Sequence, residues 1–314
     1  LGLAAMAIPD VHEDTATMGA NAVCRLIDRN GINPRDIGRI YLGTESSLDA
    51  AKPSATYAVG VVEEKLKNKF GERCFKNCDV VDLTFACIGA VDALENCLDW
   101  VRNNEDRLAV VIASDVAKYE LNSPGEYTQG AGAIGILIKE NPSILEIKDQ
   151  WGVAMESVGD FFKPRRLLKN SDLKNIQIKD FLETTKHEIE IYLEEPVFDG
   201  HYSNLCYKSR IEEALEHFQK KYNPNYLNDW EHLIFHLPYA FQGRRMILDI
   251  WLNWLKENNI FNSLEDEIGP FNMKESKEWK KSASKSKLFK AFIKSKIESG
   301  EKASSLIGNM YTAS

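Results

Sequence analysis

The sequence predicts a layered α/β fold on a largely parallel sheet, and three observations carry that expectation. Short apolar runs alternate with amphipathic stretches about a dozen residues long, the pattern of strand, crossover helix and strand. The chain has 314 residues, 44% of them hydrophobic, with only 19 Gly and 10 Pro, so it can bury a large core. Residues able to do chemistry stand at the ends of apolar runs, and ligands of such sheets sit beyond the carboxyl ends of the strands.

The elements follow in order. Thr15 to Asn30 sets Met18, Ala22, Val23, Leu26 and Ile27 on one helical face, and Gly31 to Pro34 punctuates it. Ile37–Gly43 is an apolar strand leading into Thr44, Glu45 and Ser46. Pro53 marks a helix start that continues from Ala55 to Lys69. Cys78–Thr84 is a Val-rich strand, Gly89 to Val101 a helix, Arg107–Ser114 a buried strand and Ala131–Ile138 a Gly-interleaved one. Later come a helix from Ser203 to Lys221, a strand at His232–Phe235 and a helix from Phe241 to Glu257. We therefore expect a first half over 1–148, a connecting segment over 149–202 and a second half over 203–314. The charged stretch from Lys163 to Glu195 is expected as a surface insertion. Lys274 to Lys302 holds ten Lys against four Glu, a solvated helix face or a patch for an anion.

Composition excludes several classes. A net charge of -8 argues against a general nucleic-acid binder, which needs a basic footprint. The best apolar stretch, Leu108 to Ala113, is far short of the roughly 20 residues that span a bilayer, so no membrane partner is expected. Cys24, Cys74, Cys78, Cys87, Cys97 and Cys206 form neither a disulfide framework nor paired CxxC motifs. No metal site and a reducing, cytoplasmic compartment are expected. The first residue is Leu1 and no signal-peptide pattern follows it.

Cys87 lies between a strand and a helix, where unpaired N–H groups at the helix start favour a thiolate. Gly89 and Ala90 would let backbone approach a ligand closely. Glu45 ends an otherwise apolar strand, and His236 ends another just before Pro238. Each of the three also fits a structural role by itself. Together, a thiol, a carboxylate and an imidazole at three strand ends supply what acyl transfer followed by carbanion chemistry needs. The thiolate holds an acyl group, the carboxylate removes a proton beside a thioester carbonyl, and the imidazole polarises an acceptor carbonyl.

Further motifs give the sequence a family likeness. They are Thr17 to Asn21 preceded by Pro9 and Asp14, Gly43 to Ser46 with Asp49 to Pro53, and Phe85-Ala-Cys87. Ser114 to Tyr119, Gly125 to Gly132 and Gly159 to Pro164 follow, then Phe198 to Gly200 with Ser203 and Tyr207, Phe235 to Tyr239, and Gly308 to Thr312. In this order they resemble the hydroxymethylglutaryl-CoA synthase family of the thiolase superfamily. The resemblance implies a layered α-β-α-β-α fold of two similar halves and a homodimer. It also implies condensation of acetyl-CoA with acetoacetyl-CoA, with Cys87 acetylated, Glu45 as base and His236 orienting the ketone. Asn122, Thr128, Ser203, Arg245 and Asn309 match substrate-contacting positions, while Tyr119 and Asp160 match residues that shape the acetylation site. No cofactor is implied, since both substrates arrive as thioesters. A basic patch for the CoA phosphates is expected among Lys163, Arg165, Arg166, Arg244 and Arg245.

Two departures stand out, Ile88 where many members carry Tyr and Phe241 where many carry Lys. Three other readings compete. They are a homologue acting on a carrier-protein-bound acetoacetyl group, an initiating ketoacyl synthase, and a non-catalytic acyl-CoA-binding subunit. Against the family pattern, Leu1 aligns beyond the first strand and the pattern continues past Ser314. The expectation is a piece lacking strands at both ends, which by itself would fold poorly.

Overall fold

A computed structural model describes residues 1–84, 86–103, 106–169 and 188–314. Phe85 and the middle of the insertion, 170–187, lie outside the described residues. Contacts divide the chain into two units, one of 1–117, 128–149 and 224–314, the other of 118–127 and 150–223. The helix expected at the start of the second half thus belongs with the connecting segment.

In the first unit, α1 (Thr15–Asn30) starts at Asp14, whose carboxylate accepts the Thr17 N–H while the Thr17 hydroxyl accepts the Asp14 N–H. This reciprocal cap satisfies two donors that a helix start leaves open. Gly31, at φ 62°, ends it in the left-handed conformation. Four strands follow: β1 (Ile37–Gly43), β2 (Asp79–Leu83), β3 (Leu108–Val116) and β4 (Ala131–Ile138). Their order is β2-β1-β3-β4, with β1 parallel to β2 and β3, and β4 antiparallel to β3. The crossovers run through α2 (Ser54–Phe70) and α3 (Gly89–Arg102).

Alternation along the strands assigns the two faces. Ile40 and Leu42 of β1 and Val110 and Ile112 of β3 pack with α1 and α2. Tyr41, Ala109, Val111 and Ala113 point the other way, to α3 and to Met310 and Ala313. The chain moves one way from β1 to β2 over one face and back from β2 to β3 over the other. Both crossovers therefore have the same hand, as parallel sheets require.

The remainder of this unit is helical: α5 (Tyr226–Asp229), α6 (Gln242–Glu257), α7 (Phe261–Ile268), α8 (Ser276–Ala283), α9 (Lys287–Lys296) and α10 (Glu298–Ile307). Trp251 of α6 meets Phe289 of α9 at 5.0 Å between ring centroids. Trp279 of α8 stacks on Phe261 at 5.6 Å and donates its indole N–H to the Gly269 carbonyl.

The strand expected at His232–Phe235 is not formed. The segment runs without strand pairing, and the Leu233 N–H donates to the Lys296 carbonyl at 2.8 Å, off the end of α9. Of these four residues only Leu233 is buried, and Ile234 is 84% exposed, so the segment is anchored at one position to a helix end rather than built into a sheet.

In the second unit, β5 (Arg165–Lys169) pairs antiparallel with β6 (Glu188–Tyr192), joining the described ends of the insertion. Beyond them α4 (Gly200–Tyr222) begins at Asp199, whose carboxylate accepts the His201 and Tyr202 N–H groups.

Candidate active site

Glu45 and Cys87 come from neighbouring strand ends. The start of α3 packs onto the end of β1 only because residue 43 is glycine: a Cβ on Gly43 would lie 2.1 Å from the Ala90 nitrogen. A Cβ on Gly89 would lie 2.4 Å from the Leu83 carbonyl oxygen. These glycines serve backbone-to-backbone packing, so the freedom expected at Gly89 for a ligand is used inside the fold. Cys87, in the one-turn 3-10 helix Ala86–Ile88 ahead of α3, points its thiol at the Glu45 carboxylate, Sγ to Oε1 3.3 Å.

The Glu45 backbone is held by a residue to which the sequence reading gave no role. Asp115, in the central strand β3, is wholly buried. Its Oδ1 accepts the Thr44 hydroxyl at 2.7 Å and the Glu45 N–H at 2.9 Å, and its Oδ2 the Thr312 N–H at 3.1 Å. Burial pushes the Asp115 pKa up to about 6, with these hydrogen bonds and one from Ser46 opposing it. The signal was present, since an acid within the run Leu108–Val116 must find donors or be neutralised. The Thr312 hydroxyl accepts the Ala90 N–H at 2.8 Å, so the segment tied to Asp115 also caps α3.

His236 is anchored to the same closing segment, with Nδ1 2.9 Å from the Ser314 carbonyl oxygen. A carbonyl only accepts, so Nδ1 carries the proton. Desolvation lowers the pKa of His236, and the Ser314 bond partly opposes it. Asn309, also buried, accepts the Tyr311 N–H and the Ser314 hydroxyl on Oδ1, and its N–H donates to the Thr128 carbonyl at 2.7 Å. The structure thus joins His236, Asn309 and Thr128 through the 309–314 segment.

In the other unit Asp160 and Ser203 meet, the Ser203 hydroxyl donating to Oδ2 at 2.6 Å and the Asp199 N–H to Oδ1 at 3.2 Å. Tyr119 is buried edge-on against Phe198 at 5.7 Å. Asn122 is exposed at φ 65°, its N–H on the Glu126 carboxylate.

Two of the cations expected for the CoA phosphates already have acidic partners. Arg244 is committed to the buried Glu301 by two bonds of 2.6 and 2.5 Å and lies 4.2 Å over the Phe241 ring. Arg165 pairs with Glu190. Arg245 is exposed and donates to the Tyr239 hydroxyl at 3.1 Å, so it is still available to an anion. Among the described residues no three His, Cys, Asp or Glu side chains gather as a metal ion would require, and no helix is long and apolar enough to cross a membrane.

Comparison with known proteins decides the family. The family model for the hydroxymethylglutaryl-coenzyme A synthase N terminal matches residues 1–143, and that for the C terminal matches residues 177–314. The chain belongs to the hydroxymethylglutaryl-CoA synthase family. It is 34% identical over 271 residues to the hydroxymethylglutaryl-CoA synthase of Haloferax volcanii, covering 86% of this chain and 54% of that protein. With hydroxymethylglutaryl-CoA synthase A of Dictyostelium discoideum it shares 31% over 246 residues, covering 76% and 44%. The solved structure of MvaS in complex with 3-hydroxy-3-methylglutaryl coenzyme A superposes at a TM-score of 0.73 with 26% identity, covering 100% of this chain and 66% of that one. The fold is thiolase-like, and the chain spans about half the length of the curated relatives it matches.

Proposed function

We propose that this chain carries the acetyl-transfer and condensation centre of a hydroxymethylglutaryl-CoA synthase. The observation supporting this most directly is the 3.3 Å approach of Cys87 Sγ to Glu45 Oε1, in a chain of this family. The Cys87 sulfur attacks the acetyl-CoA carbonyl, CoA leaves with the thiol proton, and an acetyl thioester forms on Cys87. Its methyl group then lies beside the Glu45 carboxylate, which removes a proton to give the enolate. The enolate carbon bonds to the ketone carbon of acetoacetyl-CoA, and the resulting alkoxide takes up a proton. Water cleaves the Cys87 thioester, releasing hydroxymethylglutaryl-CoA, a mevalonate precursor, and restoring the thiol.

His236, its ring held by the Nδ1–H bond to the Ser314 carbonyl, orients the ketone of acetoacetyl-CoA and helps to polarise it. By the family likeness, Asn122, Thr128, Ser203, Arg245 and Asn309 match substrate-contacting positions, and Asp160 and Tyr119 match residues that shape the acetylation site. The reaction needs no added cofactor, because both substrates bring an activated thioester. A homodimer in the cytoplasm fits the family likeness and the six free thiols.

Incubation with labelled acetyl-CoA tests this reading. Wild type should acetylate Cys87, Cys87→Ser should not, and Glu45→Ala should acetylate but fail to condense. Absence of acetyl-Cys87 in the wild type, or an adduct in Cys87→Ser, would overturn it. Disappearance of free acetoacetyl-CoA then separates the CoA enzyme from one needing a carrier-protein-bound acceptor.

A further inference from the structure

The loop from Thr44 to Pro53 carries Glu45, and its two ends are held by two different carboxylates. Asp115 holds the outgoing end through the Thr44 hydroxyl and the Glu45 N–H. The returning end is the start of α2, which has no side-chain cap of its own because its N-cap residue is Pro53. Asp82 caps it from β2. Its carboxylate accepts the Ser54 N–H at 2.5 Å and the Ala55 N–H at 2.9 Å. Two N–H groups that would otherwise be open converge on one anion at the positive end of a helix.

Asp82 is next to last in β2, in register with Leu42 of β1, and the following residue, Leu83, accepts the Thr44 N–H. The same strand end leads directly to Cys87. Within the loop, the Ser54 hydroxyl accepts the Leu48 N–H at 2.9 Å, so the fixed helix start reaches back toward Glu45. Asp49 closes the turn on the Ala51 and Lys52 N–H groups. One side chain therefore ties the strand that delivers the nucleophile to the loop that delivers the base.

We propose that Asp82 is a positioning residue that sets the Glu45 carboxylate against Cys87 by clamping the start of α2 to the end of β2. It touches neither substrate nor reacting atoms, and its role rests on the reading of Glu45 as base and Cys87 as nucleophile. With the clamp released, the outgoing end of the loop keeps its bonds to Asp115 and those of Ser46 to Thr15 and Val116, but the returning end is freed, and the base loses the alignment that proton abstraction demands.

The test uses the whole chain as wild type, Asp82→Asn and Asp82→Glu. Asparagine keeps the size but turns an N–H donor toward one of the two backbone donors, and glutamate restores the carboxylate. Condensation is measured per acetylated Cys87, so that a loss of folded protein, which lowers acetylation and condensation together, is divided out. Asp82→Asn should condense roughly tenfold to a hundredfold more slowly per acetylated site, with KM for acetoacetyl-CoA within about threefold. Asp82→Glu should recover part of that loss. Amide hydrogen exchange over 44–55 should accelerate in Asp82→Asn while 15–30 stays unchanged. An unchanged condensation rate per acetylated site, or unchanged exchange over 44–55, overturns the proposal. If wild-type Cys87 is never acetylated, the proposed reaction fails instead, and the exchange measurement alone decides whether Asp82 holds the loop.

Discussion

Asp115 concentrates several opposing forces in one side chain. Its folded pKa of about 6 stands above the ordinary value of 3.8, so the native state holds a proton that the unfolded chain has released between those values. The stabilisation from this group is complete below about pH 4 and is lost as pH rises through 6, a change on the order of 3 kcal/mol. His236 works in the opposite direction: its folded pKa lies below 6.5, so stability is lost as pH falls from 6.5 through the lowered value. Asp115→Asn separates the two. In urea unfolding, the stability of wild type relative to the variant should fall by about 3 kcal/mol from pH 4 to pH 7, while condensation falls because the Glu45 N–H loses its anion. Gly43→Ala tests the strand end. With 2.1 Å to the Ala90 nitrogen, α3 must move, at a cost of about 1–3 kcal/mol, and acetylation of Cys87 should drop with the melting temperature.

At the scale of elements, the helical layer packs through buried apolar and aromatic side chains, and an ion pair ties α6 to α10. Arg244 of α6 grips Glu301 of α10 through two bonds, and Glu301 is 4% exposed. Removing the guanidinium leaves a buried carboxylate without its counter-ion, so Arg244→Ala should cost about 3–5 kcal/mol in chemical denaturation. Arg244→Lys should recover only part, because an ammonium cannot make the paired bonds. The same commitment explains why an arginine that looks available to CoA in the sequence is structural. The loop carrying His236 depends on this layer too, since Leu233 is anchored to the end of α9.

At the scale of the whole molecule, charge is unevenly spread. The chain carries -8 overall, yet α8 and α9 expose Lys277, Lys281, Lys290 and Lys294 while burying Trp279, Ala283, Phe289 and Ile293. Buried apolar positions at helical spacing make the lysines a solvated face. Changing these four to Glu should therefore leave KM for acetyl-CoA within about twofold at physiological ionic strength. A large rise would assign the face to anion binding, and a loss confined to a carrier-protein-bound acceptor would assign it to that partner.

The sequence by itself determined the order of strands and helices in the first 140 residues and placed Glu45 and Cys87 just beyond the ends of β1 and β2. Those features are written in short-range periodicity, caps and turns, such as Asp14 with Thr17 and Gly31, each settled within a few neighbouring residues. It misjudged His232–Phe235, because so short a stretch does not say whether its backbone joins a sheet or, as Leu233 does, the end of a helix. Only the tertiary structure decided that Cys87 meets Glu45 across 42 positions, that Asp115 holds Glu45 across 70, and that Asp82 caps α2 across 28. These contacts follow from the register of β2, β1 and β3. Register is set by how whole strands pack against α1, α2 and α3, and no local stretch of sequence carries it.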